Sequence, residues 1–224
     1  MKDFITFIIP TIGRKTLLNS IQSLNNQTND NWRAIIIFDG VQNNFEIENV
    51  NEKIKIFEIE KRGISINQAS EVRNYGIRKA ESKWIAFLDD DDTLSKDYVE
   101  IFYNEQKNFN FDVYIFRMKM DNRIIPNQNE KNIKICDIGI SFIIKKYIFD
   151  NISFENSGTE DYDFLKKVEN NNHKIIISNY VSYFVKGIES DTIKLDNNKK
   201  IFINGFNPYL FLGLNYYLCN KFNS

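Results

Sequence analysis

The stretch Lys83–Ser95, KWIAFLDDDDTLS, decides how the chain is read. Trp84, Ile85, Ala86, Phe87 and Leu88 form a short unbroken apolar run, which suits a strand buried on both faces of a sheet. Asp89, Asp90, Asp91 and Asp92 follow without a break. Carboxylates packed this closely raise one another's pKa, and they stay ionised only where a cation or strong donors offset the repulsion. The end of a strand in an open α/β sheet is also where ligands bind. The competing reading is a solvated loop in which Asp92 or Ser95 caps the following helix. A four-acid run set directly against a core strand favours a metal or ligand.

Outward from this stretch, the chain alternates strands and helices. Phe4–Ile9 reads as a strand ended by Pro10, Lys15–Gln27 as a helix with Leu17, Leu18, Ile21 and Leu24 on one stripe, and Trp32–Phe38 as a second buried strand ending at Asp39-Gly40. This β-α-β order implies a right-handed crossover and a parallel pair. Ile54–Ile59 is a third strand, and Ile66–Ala80 a helix turning Ala69, Val72, Ile77 and Ala80 to the sheet. After the acidic run come a helix over Lys96–Phe109, with Tyr98, Val99, Phe102 and Phe109 as its contacts, and strands at Val113–Met118 and Ile140–Ile144. Ser157–Glu160 matches a capping box opening a helix over Glu160–Asn170, and strands at Lys174–Ile177 and Val181–Val185 follow. The expected class is α/β, a doubly wound and mainly parallel sheet flanked by helices.

With 224 residues, the chain is long enough for one sizeable domain. We expect it over 1–190, with a C-terminal appendage over 191–224 packed on it. The 29 basic and 30 acidic residues nearly cancel, so no overall field favours nucleic acid or an acidic membrane surface. Cys136 and Cys219 lack metal-type spacing, which leads us to expect reduced core thiols and a cytoplasmic setting. The amino-terminal MKDFITFIIPTIGR has neither the length nor the cleavage pattern of a signal peptide. No segment reaches the roughly 20 apolar residues of a membrane span. Pro208–Leu218 reads as an aromatic-rich helix docked on the domain, with peripheral membrane contact as the alternative. His173, the single histidine, reads as an exposed turn residue, and among the aromatics Tyr147, Phe154 and Tyr162 are candidates to stack on an acceptor sugar.

The acidic residues stand where sheet elements end. Asp39 closes the second strand, Asp89–Asp92 close the fourth, and Glu160-Asp161 open a helix after a long loop. In a doubly wound sheet Asp39 and Asp89 face the same edge and address one ligand. An ionised carboxylate there only accepts hydrogen bonds, so it reads an N–H or a ribose hydroxyl. The competing reading for Asp39 is a turn residue before Gly40.

FIIPTIGRKTLLNSIQSLNNQT, IIIFDG, EVRNYGIRKAESKWIAFLDDDD and GTEDYDFLKKV, in this order and spacing, resemble the successive motifs of glycosyltransferase family 2, whose members have the GT-A fold. The resemblance spans roughly Phe4–Val185. It implies a donor half over about 1–95 and an acceptor half over about 96–190. It also implies an inverting enzyme of the hexosyltransferase type, which moves one sugar from a nucleotide-diphosphate donor, a UDP-sugar, to a hydroxyl of a glycan or lipid-linked acceptor. The cofactor implied is Mn2+ or Mg2+. A non-catalytic nucleotide-sugar or glycan-binding module of the same fold is the alternative.

Residue by residue, the resemblance places Asp39 on the base of the donor and Pro10-Thr11 along the nucleoside pocket. Arg73 and Asn74 stand close to the nucleotide. The DxD motif falls on Asp89-Asp90-Asp91, with Asp91 on the metal and Asp89 on the ribose or the metal's water shell. Asp161 is the implied catalytic base, beside Glu160, and Lys186 is implied to help hold the diphosphate. Two departures stand out. Phe38-Asp39 replaces the usual acidic pair, and Val41 follows Gly40 where serine is usual. The Gln-x-x-Arg-Trp motif of processive synthases is also lacking, which argues for single-sugar addition.

Overall fold

The computed structural model describes residues 2–40, 51–60, 69–186 and 191–195. The first half of the chain is built as expected: β1 (Lys2–Thr11), α1 (Leu17–Asn25), β2 (Trp32–Asp39), β3 (Ile54–Ile59), α2 (Ala69–Lys79) and β4 (Ser82–Phe87). Strands β3, β2, β1 and β4 lie side by side and all run parallel. The carboxyl ends of β1, β2 and β4 therefore share one edge, and Thr11, Asp39 and Asp89 stand there.

Beyond β4 come β5 (Thr93–Leu94), α3 (Tyr98–Asn108), β6 (Val113–Met120), β7 (Arg123–Ile125), β8 (Phe142–Lys145), a 3-10 turn (Lys146–Asp150), α4 (Glu160–Asn170), β9 (Ile175–Val185) and β10 (Ile193–Lys194). The spatial order is β10-β9-β6-β8-β4-β1-β2-β3, with β5 paired to β9 and β7 to β6. β8 enters antiparallel to both β4 and β6. The chain between β6 and β8 forms the hairpin strand β7 and a loop rather than a helix, so no helical crossover makes the pair parallel. β6 and β9 are parallel again, and the short β5, β7 and β10 run against them as β8 does, leaving the long strands mostly parallel.

The predicted β4 is buried because neighbours flank it and aromatic clusters cover both its faces. Trp84 packs against Phe102 and Phe111 on one face, with ring centroids 4.9 and 5.8 Å away. Phe87 packs against Phe142 and Phe154 on the other, both at 5.2 Å. Each such ring contributes about 1.5–3 kcal/mol by leaving water. Helix α2 lies on β1 and β2 at close range. A Cβ added at Gly76 would stand 2.7 Å from Ile8 Cγ2 and 2.8 Å from Ile37 Cδ1. This seat directs the first turns of α2, with Ser70 and Arg73, toward the carboxyl edge.

Several local expectations are revised. Leu18 and Phe109, placed on apolar faces by periodicity, are exposed, because α1 buries only Leu17, Ile21 and Leu24 of its stripe and α3 ends before Phe109. Pro10 does not end β1. The strand runs on to Thr11, with Pro10 and Thr11 in register with Ile37 and Phe38. The two last strands predicted are one continuous β9. His173 is partly buried, 3.9 Å from Asp112 and edge-on to Tyr147. Cys136 is disulfide-bonded rather than a reduced thiol, since separation along the chain carries no information on approach in space, and Cys219 lies outside the described residues. Segment 208–218 lies outside them too, and of the expected appendage 191–224 only 191–195 is described. Among the described residues, no helix is long and apolar enough to cross a membrane.

Candidate active site

The four aspartates form a compact turn at the end of β4, closed by an Asp92 N–H to Asp89 carbonyl bond of 3.1 Å. They do not cap α3, whose N-cap is Asp97. Ser20 of α1 clamps the turn from below, its hydroxyl donating to the carbonyls of Asp92 and Asp89 at 2.7 and 3.2 Å. The four side chains then diverge into distinct environments.

Asp89 turns to α2, where Arg73 Nη2 donates to its Oδ1 at 2.8 Å. The Arg73 guanidinium is almost wholly buried, and its Nη1 bonds Glu160 at the start of α4. Burial alone would lower its pKa, but the nearby carboxylates of Asp89, Asp161 and Glu160 outweigh this and hold it firmly charged. Glu160 also accepts from Ser70. One buried arginine thus joins the acidic turn after β4 to the helix that carries Asp161.

Asp161 occupies the first turn of α4. Its Oδ1 is buried and has no hydrogen-bond partner among the described residues. Its pKa is raised to about 7, first by burial and then by Glu160 and Asp89, with Arg73 opposing. The expected capping box is absent. Ser157 and Thr159 both donate to Asp163 Oδ2, at 2.6 and 2.9 Å, and Glu160 is drawn away to Arg73 and Ser70.

Asp90 points back into the protein, accepting from Thr11 Oγ1 at 2.7 Å and Arg14 Nη1 at 2.8 Å. Burial raises its pKa, and these two bonds oppose the rise. Asp91 is partly exposed, with Arg14 Nη1 at 3.7 Å from its Oδ2. Asp92 is buried, and burial followed by the Asp89 charge raises its pKa to about 7, partly offset by bonds from the Lys186 backbone N–H and the Tyr183 hydroxyl. The Tyr183 hydroxyl also accepts the Asp89 N–H at 3.2 Å, so β9 anchors the turn at both ends.

The structure therefore brings Thr11, Arg73, Asp89, Asp91, Glu160 and Asp161 to one edge. Asp39 ends β2 there, and Pro10 lies one residue before the end of β1. Asn74 faces elsewhere: its amide pairs with the backbone of Phe154 in both directions, at 2.9 and 3.2 Å, fixing the loop before α4. Lys186 is exposed and meets the site through its backbone, with φ of 50°. Phe154 is buried in an aromatic cluster and offers no stacking face. Tyr147 lies past the β8 residue paired with Trp84, at the opposite edge of the sheet. A cavity of about 300 Å³ lined by Lys83, Trp84, Lys107, Phe109 and Lys145 opens at that far edge and has no carboxylate in its lining.

Sequence reasoning missed Arg14, Ser20, Ser70 and Tyr183. Arg14 alone left a trace, a single basic residue in the turn after β1. A hydroxyl in a helix or a tyrosine in a strand carries no mark of what it faces. Among the described residues no group of three or more histidine, cysteine, aspartate or glutamate side chains forms a metal cage. Within the acidic turn, Asp91 and the outer oxygen of Asp89 are the carboxylate atoms left to a ligand. One or two carboxylates completed by substrate phosphates is how Mg2+ is commonly held, so the donor set fits a hard divalent cation.

Residues 6–156 match the family model described as glycosyl transferase family 2. An uncharacterized glycosyltransferase of Rickettsia bellii is 35% identical over 114 residues, which are 48% of this chain and 16% of that protein. The poly(ribitol-phosphate) beta-N-acetylglucosaminyltransferase TarP of Staphylococcus aureus is 26% identical over 94% of this chain and 66% of its own length. The chain thus spans less than a fifth of the former relative and about two thirds of the latter. The crystal structure of S. aureus TarS 1-349 in complex with UDP-GlcNAc superposes with a TM-score of 0.68 at 20% identity, covering 83% of this chain and 58% of that one. At that identity the likeness shows a shared fold.

Proposed function

Since the chain belongs to glycosyl transferase family 2, we propose that it moves a single sugar from a UDP-sugar to a hydroxyl of a glycan or lipid-linked acceptor, with inversion at the anomeric carbon. The observation that carries this reading is the buried Arg73, bonded at once to Asp89 and to Glu160 beside Asp161. It sets a donor-side carboxylate and a partnerless carboxyl at a fixed distance, and a one-step displacement needs its leaving group and its base held apart. The UDP donor is supported by the structure of like fold bound to UDP-GlcNAc, and a hydroxyl-bearing polymer as acceptor by the name of TarP, a poly(ribitol-phosphate) beta-N-acetylglucosaminyltransferase.

On this reading 1–95 is the donor half and 96–190 the acceptor half. Asp39 and Thr11 receive the nucleoside, and Asp91 with Asp89 would hold Mn2+ or Mg2+, which supplies positive charge for the departing diphosphate. Lys186, beside Asp92, is a further group for the diphosphate. Asp161 takes the proton of the acceptor hydroxyl at its carboxylate, a role worth roughly 10²–10⁴ in rate. A base serves best with a pKa near the working pH, and burial brings Asp161 to about 7. Arg73 keeps Asp161 from rising further and screens it from Asp89.

A thermal-shift screen of nucleotide sugars with Mn2+ tests the donor, because a ligand bound only by the folded state raises its melting temperature. We expect UDP-sugars to raise it more than GDP- or CDP-sugars. A larger shift with either of the latter would refute the UDP assignment.

A further inference from the structure

Two guanidinium groups pair with the acidic cluster among the described residues, and they differ in kind. Arg73 is buried and bonded on both arms to Asp89 and Glu160. Arg14 is half exposed, with a side-chain exposure of 52%. It stands on the turn between β1 and α1, just after Gly13, whose φ of 83° bends the chain back over the acidic run. Its Nη1 is 2.8 Å from the nearly buried Asp90 Oδ1 and 3.7 Å from the partly exposed Asp91 Oδ2. The Asp90 contact is a full hydrogen bond whose acceptor is further fixed by Thr11. The Asp91 contact is longer and wetter, and pairs of that kind are weak.

This asymmetry has a chemical consequence. Asp91 is the carboxylate best placed for a divalent cation, and a guanidinium 3.7 Å away competes with that cation by like-charge repulsion. A guanidinium also carries five N–H donors in a flat fork that matches phosphate oxygens. Asp90 engages one face of the Arg14 fork and tethers it at the edge where the donor is bound.

We propose that Arg14 is a second cation of the donor site. In the free protein it neutralises Asp90 and Asp91. When a nucleoside diphosphate arrives with its divalent cation, Arg14 keeps Asp90, releases Asp91 and turns its remaining N–H groups to the diphosphate. The inference rests on the donor reading given above.

Titration calorimetry on the whole chain tests it, with Mn2+ alone and with UDP in the presence of Mn2+ as probes. For Arg14→Gln we expect Mn2+ alone to bind about 3–10-fold more tightly, since a competing charge is gone, and UDP to bind about 10-fold more weakly, since a donor fork is gone. Opposite movements of the two affinities are what a merely structural role would not produce. Unchanged UDP affinity, or Mn2+ affinity that stays level or falls, overturns the proposal. Should Arg14→Gln fail to fold, Arg14→Lys carries the test: it keeps the charge and loses the fork, so Mn2+ binding should match the wild type and UDP binding fall about 3–10-fold, and unchanged UDP binding overturns the proposal. A wild-type chain that binds no nucleoside diphosphate overturns the donor reading and this inference with it. Wild-type UDP binding matched by Arg14→Gln overturns this inference alone.

Discussion

Arg73 Nη2 meets Asp89 Oδ1 at 2.8 Å, and the other arm of the same buried guanidinium holds Glu160. Residues 73, 89 and 160 lie on α2, at the end of β4 and on α4, so a single side chain fixes the distance between the two halves of the site. Removing one partner of a buried ion pair leaves the others as uncompensated charge, which costs about 3–5 kcal/mol. Arg73→Met should lower unfolding stability by that amount in urea titrations. Adding Glu160→Gln should restore part of the loss, because it removes one of the stranded carboxylates. A loss below about 1 kcal/mol in the single variant would contradict the account.

The pH dependence of stability follows from Asp161. Its folded pKa is about 7 against 3.8 for the free side chain, so between these values the folded chain keeps a proton that the unfolded chain releases. Its contribution to stability therefore falls as pH rises through this window, and above about 7 the folded state carries a buried charge. Asp161→Asn should be more stable than the wild type by about 1–3 kcal/mol at pH 8, with the gap shrinking toward pH 5. Melting temperatures at the two pH values check this, and a gap of equal size at both would contradict it.

Helix α2 owes its seat to Gly76. Alanine has a better helix propensity by about 1 kcal/mol, but its Cβ would stand 2.7 Å from Ile8 Cγ2 and 2.8 Å from Ile37 Cδ1. Overpacking of this kind costs about 1–3 kcal/mol. Gly76→Ala should therefore be net destabilising by roughly 1 kcal/mol, lowering the melting temperature by a few degrees. A stabilised variant would mean that α2 lifts off the sheet freely.

Much of this was legible in the chain because burial writes itself into periodicity. The unbroken run Trp84–Leu88 marked β4, and β3 and α4 were found with their bounds. The acidic residues at strand ends marked the edge. What stayed hidden depends on contacts far apart in sequence. The Ser157–Glu160 pattern promised a capping box, yet Glu160 is drawn to Arg73, 87 positions away. Asn74 resembles a nucleotide contact by position, but its amide is spent on the Phe154 backbone. Asp92 could be read as a helix cap, but it anchors the turn to β9 through Tyr183 and Lys186.

The division of labour between the two acids is separable by binding. Asp91→Asn should weaken Mn2+-dependent UDP binding at least 10-fold in calorimetry, since a carboxylate ligand becomes a neutral amide. Asp161→Asn should leave that affinity within about 2-fold, since the proposed role of Asp161 is toward the acceptor. Equal losses in both variants would show that the acids do not have separate roles.

The central claim, transfer from a UDP-sugar with Asp161 as base, is tested most directly by UDP release. The wild type and Asp161→Asn would be assayed with Mn2+ across a panel of UDP-sugars, with UDP binding measured in parallel. The account predicts that the wild type releases UDP from at least one donor, with a rate that rises through about pH 7, and that Asp161→Asn binds UDP normally while its release falls about 10²–10⁴-fold. Release by Asp161→Asn at the wild-type rate would contradict it.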